Sequence, residues 1–118
     1  MQIKIYEREG QRNFLQIEGK EKRQVYLDEI YYGESQGRKI KVYCAAEEVE
    51  FYSKLDNLEK MLPDNFLRCH KSFFVNMQHV RCVDRQDITM MDGRKVPVGR
   101  RQASEVREKI FSYFTSMM

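Results

Sequence analysis

The 118-residue chain has no apolar run near the roughly 20 residues that cross a bilayer. Its start, from Met1 to Glu9, is too charged for a secretory signal, so no membrane association is expected. Cysteine is scarce: Cys44, Cys69 and Cys82 are odd in number and lack the close pairing of a metal knuckle, which fits reduced thiols in a cytoplasm. With only His70 and His79 to help them, neither a zinc site nor any other metal or cofactor is expected. The chain also lacks a Gly-rich phosphate loop and paired acids in a plausible cleft, so the reading is not an enzyme. No internal repeat, low-complexity tract or Pro/Gly-rich linker divides it, and residues 1–118 are expected to form one domain. A composition of 42% apolar and 33% charged residues is that of a soluble globular protein rather than a disordered tail.

What is present is charge of one sign, concentrated. From Phe66 to Arg101 there are eight Lys/Arg (Arg68, Lys71, Arg81, Arg85, Arg94, Lys95, Arg100, Arg101) against Asp84, Asp87 and Asp92. That local +5 exceeds the +3 of the whole chain. A net charge of +3 decides little by itself, but a local basic surface is the electrostatic footprint of a polyanion site.

The first half reads as short strands. Phe14, Leu15 and Ile17 follow a turn near Gly10, and Val25-Tyr26-Leu27 follow another near Gly19. Ile40, Val42 and Cys44 alternate with Lys41 and Tyr43, and Val49 and Phe51 with Glu50 and Tyr52, the period of half-buried strands. Strands this short must share sheets. Ser53 has the chemistry of a helix cap bonding the Asp56 amide. Leu55, Leu58 and Leu62 then repeat at helical spacing until Pro63 stops the element. Phe66–Cys69 and Val80–Val83 are expected to be extended, and Ser72–Met77 a short helical turn in which Asn76 caps a backbone group. For the hairpin at 87–98, a three-residue loop Met91-Asp92-Gly93 pairs Ile88 with Val96 and Met90 with Arg94, collecting Ile88, Met90, Val96 and Val98 on one face. A two-residue turn would split them, so the three-residue loop is preferred. Ala103, Val106, Ile110 and Phe114 mark an amphipathic helix that packs on a sheet.

Several of these segments resemble the LytTR family, the DNA-binding output domains of bacterial regulators. The marks are Ile30-Tyr31-Tyr32-Gly33-Glu34-Ser35, the cationic strand start Arg38-Lys39-Ile40, the run from Phe66 to Asn76, and the Asp92-Gly93 hairpin ending Val96-Pro97-Val98-Gly99-Arg100. The match covers nearly the whole chain. It implies a mostly β fold of short antiparallel sheets with one or two small helices. It also implies double-stranded DNA as partner, read by loops and strand ends in successive major grooves. Two copies on a direct repeat, a homodimer on DNA and a receiver domain in cis are further implications. By motif, Arg38 falls at a base-reading position with Lys39 its close competitor, Lys71 at a position reaching the groove between two major-groove contacts, and Arg100 at a base-reading position. Two departures are Gly99, where many members have Ser or Thr, and Lys71, where others have a polar side chain or Arg.

Arginine suits base reading because its fork donates two hydrogen bonds to guanine O6 and N7. Arg101, Lys39, Lys95 and Arg94 are then expected at phosphates, which give affinity without sequence information. His70 is open between donating to a phosphate and staying neutral against the backbone. Cys69, flanked by Arg68 and His70, is open to a redox role if its thiol is acidified, whereas Cys44 and Cys82 read as apolar packing. Two other classes compete: an RNA or single-strand binder stacking bases on Tyr31, Tyr32, Tyr43 and Tyr52, and a protein-interaction module using Phe111, Tyr113 and Phe114.

Overall fold

The computed structural model describes residues 2–7, 10–19 and 22–116. In chain order the strands are β1 (Gln2–Tyr6), β2 (Phe14–Glu18), β3 (Arg23–Tyr26), β4 (Ile30–Gln36), β5 (Lys39–Cys44) and β6 (Glu48–Tyr52). Helix α1 (Leu55–Met61) follows. Then come β7 (Phe66–His70), β8 (Phe73–Asn76), β9 (Val80–Val83), β10 (Asp87–Met90), β11 (Lys95–Pro97) and helix α2 (Ala103–Ser116). Short 3₁₀ turns at Leu27–Glu29 and Met77–His79 lead into β4 and β9. The strands form three antiparallel sheets, β1-β2-β3, β6-β5-β4-β8-β7 and β11-β10-β9.

The five-stranded sheet is central because its alternating residues feed two separate cores. Ile40, Val42 and Cys44 of β5, with Val49 and Phe51 of β6, face a core closed by Leu15, Ile17 and Val25 of the first sheet and by Leu55 and Leu58 of α1. Leu67, Cys69 and Val75 of β7 and β8 face a second core with Ile88, Met90, Val96 and Val98 of the last sheet and Val106 and Ile110 of α2. The expected mostly β fold of small antiparallel sheets with two helices is what forms.

The β10–β11 hairpin adopts the three-residue loop. Ile88 pairs with Val96, the Met90 amide donates to Arg94 at 2.8 Å, and Gly93 has φ 91°. Burying four apolar residues on one face decides between registers that differ by one residue, because the slip would put Ile88 and Met90 on the opposite face from Val96 and Val98.

Three expectations fail. Helix α1 starts one residue later than a Ser53 cap requires: Lys54 is the cap residue, and the Ser53 hydroxyl donates to the Lys54 carbonyl instead. Residues 73–76 are strand rather than helical turn, because β4 offers a ladder partner through Tyr32–Val75, Gly33–Phe74 and Glu34–Phe73. Cys82 is exposed, not packed. Between Met90–Val80 and Thr89–Cys82 the β9 strand carries one extra residue, Arg81, and this bulge turns Cys82 to the outward face.

β4, unread as a strand because Tyr, Gly, Glu and Ser dominate it, is the strand both halves of the sheet need. At its middle Gly33 admits the Phe74 ring: a Cβ there would lie 2.3 Å from a ring carbon. Gly33→Ala is therefore expected to cost about 1–3 kcal/mol, the usual penalty of an overpacked site, seen as a lower urea midpoint at unchanged slope.

Candidate nucleic-acid interface

Three connections carry the cations singled out in the sequence, and backbone hydrogen bonds bring them to one end of the molecule. The β4–β5 loop is Gly37-Arg38, closing between Gln36 and Lys39. Gly37 has φ 63° and Arg38 a negative φ, the pattern of a II′ turn, which matches the twist of paired strands and holds itself. The neighbouring β7–β8 turn is Lys71-Ser72, and the Ser35 amide reaches the Ser72 carbonyl at 2.8 Å. On the other side of that turn the Gly99 amide donates to the Cys69 carbonyl, also at 2.8 Å. Arg100 and Arg101 are the central residues of a turn closed by Gln102 N–H to the Gly99 carbonyl at 3.1 Å, immediately before α2. The order across this end is thus Arg38, then Lys71 and His70, then Arg100 and Arg101.

Position, more than pairing, separates these residues from other cations. Among the described residues Arg38, Lys71, Arg100 and Arg101 are exposed and join no ion pair, as is true of Lys54, Lys60, Arg81, Arg85, Lys95 and Arg107, while Arg12, Arg23, Lys41, Arg68, Arg94 and Lys109 all do. The first four are set apart by lying on hydrogen-bonded neighbouring turns. Unpaired exposed cations keep their field for an outside anion. Lys39 is partly spent: its ammonium lies 3.8 Å from Glu50 and 5.1 Å from the Tyr52 ring. Of the two competitors at the strand start, Arg38 has the freer charge.

His70 takes the backbone role. Its Nδ1 accepts from the Ser72 amide at 3.0 Å, which requires that nitrogen unprotonated and leaves Nε2 as the donor. The ring also packs edge-on against Phe73.

Arg94 does not stand as an open phosphate ligand. Its guanidinium lies over the Tyr31 and Tyr32 rings at 5.3 and 5.4 Å, donates to the Cys44 carbonyl at 2.8 Å and is held by Asp92. It ties the last hairpin to the central sheet. The same contacts close the tyrosine platform that a single-strand binder needs. Tyr31 stacks on His79 at 4.1 Å and Tyr32 on Tyr43 at 4.4 Å, leaving Tyr52 as the exposed member of the four. On α2, Phe111 and Phe114 are exposed, while Tyr113 packs at the edge of the second core.

The acidified thiol does not exist. Cys69 is 0% exposed, its Sγ faces the Phe73 and Pro97 carbonyls, and burial pushes its thiol pKa up to about 12. Burial likewise pushes Cys44 up to about 11. Since the thiolate is the reacting form, iodoacetamide at neutral pH is expected to label one thiol of the folded chain, Cys82, by intact-mass measurement.

A side chain that no charge count singles out is Arg68. It donates to the carbonyls of His70 and Lys71 and, from the other edge of its guanidinium, to Asp56 at 2.7 Å and Glu59 at 3.4 Å on α1. The Asp56 carboxyl is held below the usual carboxylate range by this hydrogen bond. The one available signal was the placement of Arg68 on a strand edge within reach of a helix bearing acids, which local periodicity does not reveal.

A small antiparallel β scaffold presenting unpaired cations on loops, with no helix in the presenting role, defines a class of β-type polyanion-binding domains. Residues 20–111 match the model of the LytTr DNA-binding domain. The structure superposes with a TM-score of 0.72 on the LytTr DNA-binding domain of a protein described as a methyl-accepting/DNA response regulator from Bacillus cereus. That pair shares 26% identity over 86% of this chain and 98% of the other. Among curated proteins, the sensory transduction protein LytT of Bacillus anthracis is 33% identical over 87 residues, 69% of this chain and 35% of its own length. The transcriptional regulatory protein NatR of Bacillus subtilis is 35% identical over 54 residues, 45% of this chain and 23% of its own. The chain belongs to the LytTR family of DNA-binding domains. It spans about a quarter to a third of the length of these curated relatives.

Proposed function

We propose that this chain binds double-stranded DNA sequence-specifically for transcription regulation, as the output domain of a two-component response regulator. The observation that carries this reading is the adjacency of three loops bearing unpaired cations at one end of the central sheet. Arg38 and Arg100 enter neighbouring major grooves and read bases. Lys71 lies across the intervening minor groove, and Lys39 and Arg101 hold phosphates. His70 shapes the Lys71 loop and donates outward through Nε2. Two copies occupy a direct repeat as a homodimer on DNA, with a receiver domain in cis supplying the signal. LytT and NatR are named as a sensory transduction protein and a transcriptional regulatory protein, which supports the assignment.

The single-strand reading is weaker because His79, Arg94 and Tyr43 already occupy the faces of Tyr31 and Tyr32. One titration separates the two. Duplexes selected from a random pool should bind with log K falling against log salt by about 0.9 per neutralised phosphate, hence a slope of roughly −3 to −5. Unstructured single strands should compete poorly. Efficient competition by single strands, or affinity indifferent to salt, would reject the proposal.

A further inference from the structure

We infer that Arg68 is a positioning residue for DNA binding, fixing the β7–β8 turn so that Lys71 is presented in one geometry; this rests on the function proposed above. A two-residue hairpin normally closes through a turn with positive φ at its first central residue, as Gly37 provides in the adjacent β4–β5 loop. Neither Lys71 nor Ser72 has a positive φ, so their turn does not follow the twist of its strands. The register also slips here: Arg68 pairs with Phe74 and His70 with Phe73, which makes Cys69 an extra residue in β7. A bulge beside a poorly matched turn gives the backbone at His70 and Lys71 less support from the ladder than a regular hairpin has.

Arg68 supplies that support. Its Nε donates to the His70 carbonyl at 3.2 Å and its Nη2 to the Lys71 carbonyl, two bonds from one planar group. The guanidinium is itself fixed from the far side by Asp56 and Glu59, and its side chain is 22% exposed. With its charge countered by two acids, it contributes geometry rather than free positive charge. The Ser72 amide bond to His70 Nδ1 closes the remaining side. Turn and helix α1 are thereby one unit, and Lys71 projects from a backbone held at two consecutive carbonyls. A lysine ammonium retains the charge and the ion pair but lacks the planar fork that spans both oxygens.

The test is a set of duplex titrations on the 118-residue chain, using a fluorescent duplex recovered by selection from a random pool. Lys71→Ala should weaken binding about tenfold, the worth of one charge-assisted hydrogen bond. Arg68→Lys should weaken it roughly fivefold, because ordering the turn backbone is then borne by binding. The decisive variant is Arg68→Lys with Lys71→Ala, which should be about as weak as Lys71→Ala alone, since the turn no longer has a contact to present. Arg68→Lys combined with Arg100→Ala should instead multiply the two losses. A merely structural role would multiply in both pairs and overturn the inference, as would wild-type affinity in Arg68→Lys. Wild-type affinity in both Lys71→Ala and Arg100→Ala would overturn the proposed function and this inference with it. Wild-type affinity in Lys71→Ala alone would overturn the inference and leave the function standing. Should Arg68→Lys fail to fold, Asp56→Asn with Glu59→Gln removes the anchor from the exposed side and is read in the same pairs.

Discussion

Arg100→Ala is expected to lower affinity for a selected duplex by about 5- to 150-fold, the 1–3 kcal/mol that a bidentate arginine–guanine contact is worth, while changing affinity for a scrambled duplex far less. The asymmetry is the point. A phosphate contact would weaken both duplexes alike and reduce the salt slope by about one unit. Arg100 sits at the centre of the Gly99–Gln102 turn, exposed and without an ion-pair partner among the described residues, so its loss leaves no buried group behind. Circular dichroism melts of the variant should overlay those of the parent, which makes a drop in binding attributable to the contact itself. Equal weakening on both duplexes would reduce Arg100 to a phosphate ligand.

Asn76→Ala should produce the largest loss of stability. Asn76 is 0% exposed, and its side chain holds four partners from different parts of the chain. Its amide donates to the carbonyls of Ile30 at 3.0 Å and Leu27 at 3.4 Å, and its carbonyl oxygen accepts from Gln78 N–H at 3.0 Å and from Asn65 at 2.9 Å. Leu27 begins the first 3₁₀ turn, Ile30 follows it and starts β4, and Gln78 lies within the second 3₁₀ turn. Alanine leaves at least two backbone groups without partners at roughly 1–3 kcal/mol each, so a loss of about 3 kcal/mol or more is expected. Asn65→Ala, which removes one bond near the surface, should cost only about 1 kcal/mol. Urea unfolding of the two variants beside the parent reads the difference directly. If Asn76→Ala is as mild as Asn65→Ala, water fills the site and the four-way junction is not what joins these turns.

These two residues show how unevenly the chain could be read. Arg100 was legible: it follows an alternating strand that must end near Val98, in a motif whose spacing resembled a known family. Local sequence marks Asn76 only as a cap. It does accept from the Gln78 amide as a cap would, but its other partners lie far away in sequence, and nothing local marks them. Ser72–Met77 illustrates the reverse error. Its composition suited a helical turn, yet a vacant ladder on β4 was worth more to the backbone than any local preference. The packing expected of Cys82 fails for a related reason, since alternation assumes an unbroken pleat and the bulge at Arg81 breaks it.

The chain's own order of residues determined the short strands of β2, β5 and β6, the stop of α1 before Pro63, the three-residue loop of the last hairpin and the concentration of positive charge after Phe66. Each of these is a local matter of period, turn chemistry or count. Tertiary structure alone decided that β4 is central, that Arg94 is consumed by two tyrosines, that Cys69 is sealed, and that Arg68 grips the turn carrying Lys71. It also decided which cations are neighbours, because the bonds from Ser35 to Ser72 and from Gly99 to Cys69 join segments that no periodicity relates. Local patterns report whether a residue is inside. Which other inside or outside residue it meets depends on strand order, and strand order is settled only when the whole sheet assembles.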